Sequence, residues 1–358
     1  MFDLISDNVL VAIIAGAGGI LLGLAARLGR FCTLGAIEDY LYGDNDARLR
    51  MWGVAIGVSI FGSFLASQLG YFGLSEANFL SQSLNIGASV VGGLIFGYGM
   101  ALAGNCGYGA LARLGGGDLR SLVIVLVMGL SALFVLSGPL GYANAIVFPR
   151  SADLVAVPGI AHGIHDMTGI SVSVIGIAIG LGVIILSIAT RRSDVIKPAV
   201  LWGGIVGLAI VSGWIGTDFV ARNGFDATPI VSHTFSAPIG ASMLYAMTAS
   251  GTVITFGVGS VIGVLLGSFV GSLIKGHFKW EACEDPRELR RQIVGAALMG
   301  AGAVIALGCS IGQGLSAMSV LAYSAPITLA AIFAGAYVGL KQLIEGFIPV
   351  PDDSDSSI

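Results

Sequence analysis

The sequence predicts an all-α integral membrane protein, and three observations predict it. The mean hydropathy is +0.91. Of the 358 residues, 55% are hydrophobic and only 11% charged, where a soluble domain carries about a quarter charged residues. Nine apolar stretches of roughly twenty residues are each long enough to cross the hydrocarbon of a bilayer: 8–28, 51–72, 85–104, 119–138, 169–190, 199–219, 250–274, 291–308 and 324–347. Finally, when those stretches are threaded alternately through a membrane, the basic residues sort almost wholly to one side. Length alone would suggest two soluble domains, but the apolar runs override it.

The first stretch is not a cleavable signal, because Asp3 and Asp7 lie ahead of it and Arg27 and Arg30 behind it. Of the seventeen Lys and Arg, fifteen fall on one side, from Arg27 and Arg48 through Arg113, Arg191 and Lys275 to Lys341; the other side holds only Arg150 and Arg222. The positive-inside rule then puts the N-terminus outside and the acidic tail "PDDSDSSI" in the cytoplasm. A wrong span count would have scrambled this partition. The net charge of −4 gives no sign of a nucleic-acid partner.

Taken in order, the segments between spans carry the polar chemistry. The first span runs into "GRFCTLGAIEDYLYGDND", which holds Cys32, and the third into "GNCGYGALARLGGGD", which holds Asn105 and Cys106. An outer loop follows, with His162, His165 and Asp166 in "AHGIHDMTG". The second half offers "SHTFSAPIGASMLYAM" without a cysteine, and then "KWEACEDPRELRRQ" with Cys283 in a charged loop. Last comes "GCSIGQGLSAMSVLAYSAP", with Cys309, Ser310 and Gln313. Irregular, glycine-laden backbone is tolerated at membrane depth only where protein or a watery cavity surrounds it. The three cysteine segments and "SHTFSAPIGASMLYAM" therefore read as short re-entrant or broken helices that dip toward the centre from opposite faces.

The chain also repeats itself. At an offset of 203, Gly92, Gly97, Gly99, Ala103, Cys106 and Gly109 fall on Gly295, Gly300, Gly302, Ala306, Cys309 and Gly312 without a gap. Glycine is common here, at 55 residues, so one match is cheap; six in one window, including one of only four cysteines, are not. The third and eighth spans run in opposite directions, which makes this an inverted repeat, an architecture that places transport sites at the repeat interface. Small-xxx-small packing of membrane helices is the plainer alternative. The expected division is a first repeat over 1–140, an outer loop and connecting transmembrane helix over 141–198, a second repeat over 199–348 and the tail over 349–358.

A buried cysteine is ordinarily a small hydrophobe, but Cys32, Cys106 and Cys309 all stand at glycine-flanked helix breaks. No CxxC spacing supports a zinc site, and no nucleotide or cofactor fingerprint occurs, so no cofactor is expected. His162 and His165 have helical spacing and offer an outer metal site, with a solvated loop as the plainer reading. Cys283 reads as incidental.

"GRFCTLGAI", "ALAGNCGYGALARL" and "LGCSIGQGLSAMSVLAYSAP" resemble the three cysteine motifs of the YeeE/YedE family of bacterial inner-membrane proteins, in its full-length two-repeat form. The resemblance implies an hourglass of spanning helices entered by short helices from both sides, and uptake of thiosulfate. It also implies that Cys32, Cys106 and Cys309 line the substrate route, with Cys106 near its constriction. The residues agree with this chemistry. A small sulfur anion needs donors throughout the membrane, and helix starts supply unpaired N–H groups. Protonated thiols add soft donors suited to a terminal sulfur. Asn105, Ser310 and Gln313 are candidate further donors, or they satisfy the helix breaks. Arg113 either draws the anion inward or obeys positive-inside, and Arg150 and Arg222 are candidates to gather substrate outside. The expected function is therefore a transporter, not an enzyme. Two alternatives stay open: a thiol enzyme passing sulfur to a cytoplasmic carrier protein, and an anion channel gated by a Cys32–Cys106 disulfide. Glu38 and Asp39 are candidates for energy coupling.

Overall fold

The computed structural model describes residues 6–82, 84–149, 159–189, 193–281 and 285–346. Arg150, Arg191, Arg192, Cys283 and the tail 349–358 lie outside them. Among the described residues the chain is helical throughout, relieved only by short turns and one isolated bridge between Asp118 and Glu281. The first half builds α1 (Asp7–Leu28), α2 (Thr33–Tyr42), α3 (Ala47–Gln68), α4 (Ile86–Ala103), α5 (Gly107–Gly115) and α6 (Leu119–Leu136). Between the halves come α7 (Pro139–Val147), α8 (Ile160–Thr168) and α9 (Val172–Ile188). The second half builds α10 (Ser193–Asn223), α11 (Ser236–Thr248), α12 (Phe256–Ile274) and α13 (Pro286–Ile305), then a short helix over 310–319, then α14 (Ser324–Ile344).

Helix ends follow local chemistry. Asn85 caps α4 by accepting from the Ala88 N–H, and α4 stops at Gly104, whose φ of 75° suits a residue without a Cβ. Asp118 caps α6 through the Arg120 N–H, and Asp285 with Pro286 opens α13.

Each of the nine expected spans is occupied by a helix, but fewer are plainly membrane-crossing. Seven among the described residues are long and apolar enough, or eight when α8 and α9, which meet at 119°, are taken as one bent span. The shortfall has physical reasons. α9 is 17 residues long, about 25 Å at the α-helical rise, and α13 opens on Arg287, Glu288, Arg290 and Arg291. α1 with α2 forms one run, Asp7–Tyr42, and α4 with α5 another, Ile86–Gly115. The expected breaks thus interrupt longer spans.

Small residues set the packing. α4 and α13 cross antiparallel: a methyl on Gly92 would overlap the backbone of Gly302 and Ala306, and one on Gly99 that of Gly295 and Met299. Backbone in this close contact replaces the hydrophobic drive that membrane helices lack between one another. α1 lies along α12 and α4 along α14, while α10 packs on α3 and α13 on α6. The halves thus pair their helices in corresponding ways. The core between them buries Trp214, Tyr108, Phe31, Phe64, Phe96 and Phe235.

Candidate functional site

Both cysteines that begin buried short helices act as caps. Cys106 precedes α5, and its sulfur accepts from the Gly109 N–H at 3.4 Å. Cys309 precedes the 310–319 helix, and its sulfur accepts from the Gly312 N–H at the same 3.4 Å. A threonine hydroxyl approaches each sulfur from the other broken helix of its half: Thr33 donates to Cys106 Sγ at 3.9 Å, and Thr234 lies 3.7 Å from Cys309 Sγ. Because the caps use sulfur lone pairs, each S–H proton stays free to point elsewhere.

Cys32 is the extended residue before α2. Its sulfur and that of Cys106 both lie beside Gly109, 3.9 and 3.6 Å from the point that a Cβ there would occupy. All three cysteines are free thiols. Cys106 and Cys309 are buried and Cys32 is half-buried, because Cys32 forms part of the floor of a cavity of about 280 Å³. Arg27, Arg30, Arg48, Arg113 and Lys275 line that cavity, with Asn105, Gly35 and Glu38. Burial, together with neighbouring Arg30 and Arg27, holds the Lys275 ammonium below its ordinary pKa. The mouth is therefore crowded with positive charge.

The three predicted donors differ in their state. Asn105 is 1% exposed, and neither its amide nitrogen nor its oxygen has a partner among the described residues. Ser310 is likewise buried with its hydroxyl unpartnered. The Gln313 amide instead donates to the carbonyls of Ala306 at 3.0 Å and Leu307 at 3.2 Å, and accepts from Ser324. It ties the Cys309 break together. The residues 312–317 are wound as a π-helix, a widened turn frequent at functional sites; their counterparts in α5 are α-helical.

Arg113 lines the cavity and reaches the Gly104 carbonyl at 3.4 Å. Arg222 is held by Asp218 at 2.7 Å and by the Gly70 carbonyl at 3.1 Å, so it braces the turn after α3. Among the described residues, no three His, Cys, Asp or Glu converge as a metal site would require. His162 and His165 stand on α8, where the His165 Nδ1 is 2.6 Å from the Ile170 carbonyl.

The sequence places His233 in a connecting segment and gives it no role. It belongs to the connection between α10 and α11, but that connection is buried. The imidazole is fully enclosed, with Nδ1 2.7 Å from Ser260 Oγ and the ring 5.0 Å from that of Phe256. Its carbonyl accepts from Ser316 of the π-helical turn at 2.6 Å. His233 precedes Thr234 as Cys32 precedes Thr33, and its segment, "SHTFSAPIGASMLYAM", is the one the sequence sets opposite the Cys32 segment.

Apolar helices long enough to cross a bilayer, broken at three cysteines and holding a basic cavity at Cys32, define an integral membrane protein. The sulphur transport family model matches residues 28–338, and the chain belongs to that family. It is 28% identical to the thiosulfate transporter TsuA of Spirochaeta thermophila over 326 residues, which cover 88% of this chain and 93% of that protein. It is 26% identical to the thiosulfate transporter TsuA of Escherichia coli K12 over 341 residues, 89% of this chain and 91% of that one.

Proposed function

We propose that this transporter carries thiosulfate, or a related small sulfur anion, past Cys309, Cys106 and Cys32 and releases it into the basic cavity. One observation carries the reading: the free thiol of Cys32 lines a cavity that five cations also line, and the buried Cys106 sulfur lies behind it beside Gly109. An anion there meets soft donors on one side and positive charge on the other. Asn105 and Ser310 add buried polar groups without partners, costly in an apolar bundle unless a ligand uses them. Gln313 keeps the Cys309 break in shape.

The two halves form an inverted repeat about the α4–α13 crossing, supported by the matched glycines and the corresponding helix pairs. The sorting of fifteen basic residues against two supports an outer N-terminus, a cytoplasmic C-terminus and a cavity that opens inward in a bacterial inner membrane. A cytoplasmic sulfur-carrier protein would then meet the product at that mouth. Uptake of radiolabelled thiosulfate into liposomes holding only this protein tests the reading. It should proceed without any carrier, and an absolute need for one would overturn uptake by this chain alone.

The position of the Cys32 and Cys106 sulfurs beside the same glycine, Gly109, favours one second reading, a channel closed or opened by their disulfide. Mild reductant separates the two. Thiol donors predict unchanged uptake, whereas loss of uptake under reductant would favour the gated channel.

A further inference from the structure

The cations at the cavity differ in where their donors point. Arg27 Nε donates to Ser272 Oγ at 2.6 Å, Lys275 to the carbonyls of Arg27 and Leu28 at 2.9 and 3.0 Å, and Arg113 to the Gly104 carbonyl. These donors are turned to the protein, the Nη edge of Arg27 lies against Gly116, and Arg30 lines the cavity beside them. Arg48, in the first turn of α3, is held differently. Its Nε meets Asp39 Oδ2 of α2 at 3.2 Å, with both side chains less than one-third exposed. The grip on Nε leaves the Nη edge free of Asp39, and Nη1 occupies the space that a side chain on Gly35 would fill. The Cys32 Cβ is 3.7 Å from that same point, and Cys32, Gly35 and Arg48 all line the cavity.

We infer that Arg48 is the specificity-determining contact at the cavity. Its guanidinium edge takes the sulfonate oxygens of a thiosulfate-class anion while the terminal sulfur faces the Cys32 thiol, with the buried Cys106 sulfur beyond it. This rests on the reading of those cysteines as substrate-lining. An arginine presents parallel N–H donors that match an oxyanion edge, which a lysine cannot. Gly35 provides the opening through which the edge arrives, and Asp39 sets its direction. An anion with oxygens but no terminal sulfur satisfies Arg48 alone, and one that reaches only the thiols leaves its charge unanswered. Selectivity then requires both ends at once, and the short reach across Gly35 is what brings them together.

Radiolabelled thiosulfate uptake into proteoliposomes tests this. Arg48→Ala should raise KM by about tenfold or more, the worth of one charged hydrogen bond, with Vmax changed little. Arg48→Lys should recover only part of that. Gly35→Ala, which displaces the guanidinium, should reproduce Arg48→Ala, and the double variant should be no worse than Arg48→Ala alone. Excess sulfate should compete weakly with the unaltered protein and lose that competition in Arg48→Ala.

A normal KM in Arg48→Ala would overturn the assignment, as would absence of sulfate competition in the unaltered protein. So would effects of the two single changes that multiply in the double variant, because a purely structural seat for α2 on α3 predicts that result. Should Arg48→Ala fail to reach the membrane, Arg48→Lys and Gly35→Ala carry the same test. An inactive Cys106→Ala beside a normal Arg48→Ala would remove the Arg48 assignment and leave the cysteine route standing. An active Cys106→Ala would remove the route first.

Discussion

Cys106 is a helix cap in the fold and, in the proposed route, a contact for the substrate. Its sulfur accepts the Gly109 N–H and lies, with the Cys32 sulfur, beside that same glycine. Cys106→Ala removes both and leaves a small void, a cost of about 1–2 kcal/mol in folding for a modest core truncation. The protein should still reach the membrane in normal amounts, but uptake should be abolished, because an ion at a desolvated constriction would lose its donor. Cys106→Ser keeps a hydroxyl cap and donor and loses the soft sulfur. If contact between sulfurs matters, serine should fail nearly as badly as alanine for thiosulfate. Full uptake by either variant would sink the role. Asn105 and Ser310 were legible as polar residues beside cysteines; that they are unpartnered while Gln313 is committed depends on carbonyls seven and six residues away, which no motif displays.

At the scale of elements, glycine acts in two separable ways. Gly104 ends α4 at a φ of 75° with open space around its missing side chain, so Gly104→Ala should cost about 1–2 kcal/mol from backbone conformation alone. Gly99 sits in helical backbone against Gly295 and Met299, so Gly99→Ala must push two helices apart, a cost of about 1–3 kcal/mol that grows with side-chain size. Thermal unfolding in detergent across Gly, Ala and Val at each site checks this. Stability should keep falling from Ala to Val at residue 99 and change less at 104. The second half places Leu307, at a φ of 59°, where the first places Gly104. This difference, with the π-helical turn after Cys309, means that the two cysteine breaks are related in design but not interchangeable.

Across the whole molecule, orientation rests on charge and architecture on packing. A reporter active only outside the cytoplasm should light up when fused after residue 222 and stay dark after residue 284, because fifteen of the basic residues sort against two. The reverse pattern would remove the inverted-repeat proposal along with the orientation. The span count was less legible than the class. Hydropathy marks each apolar run, but it cannot tell that α9 is short or that the charges opening α13 lie within the helix itself. The outer segment expected as a loop and one connecting helix also holds α7 and α8.

By itself the sequence determined an all-α membrane protein, the positions of the helix breaks and the residues proposed for the site. Apolar length, glycine placement and the rarity of cysteine are local properties, so they survive without a fold. Tertiary structure alone decided which groups meet. The Cys32 and Cys106 sulfurs meet beside Gly109 although 74 residues separate them, His233 is enclosed against Ser260, and Arg48 lies over Gly35. These are contacts between elements distant in sequence, and they depend on helices approaching closely enough for side chains to share one small space.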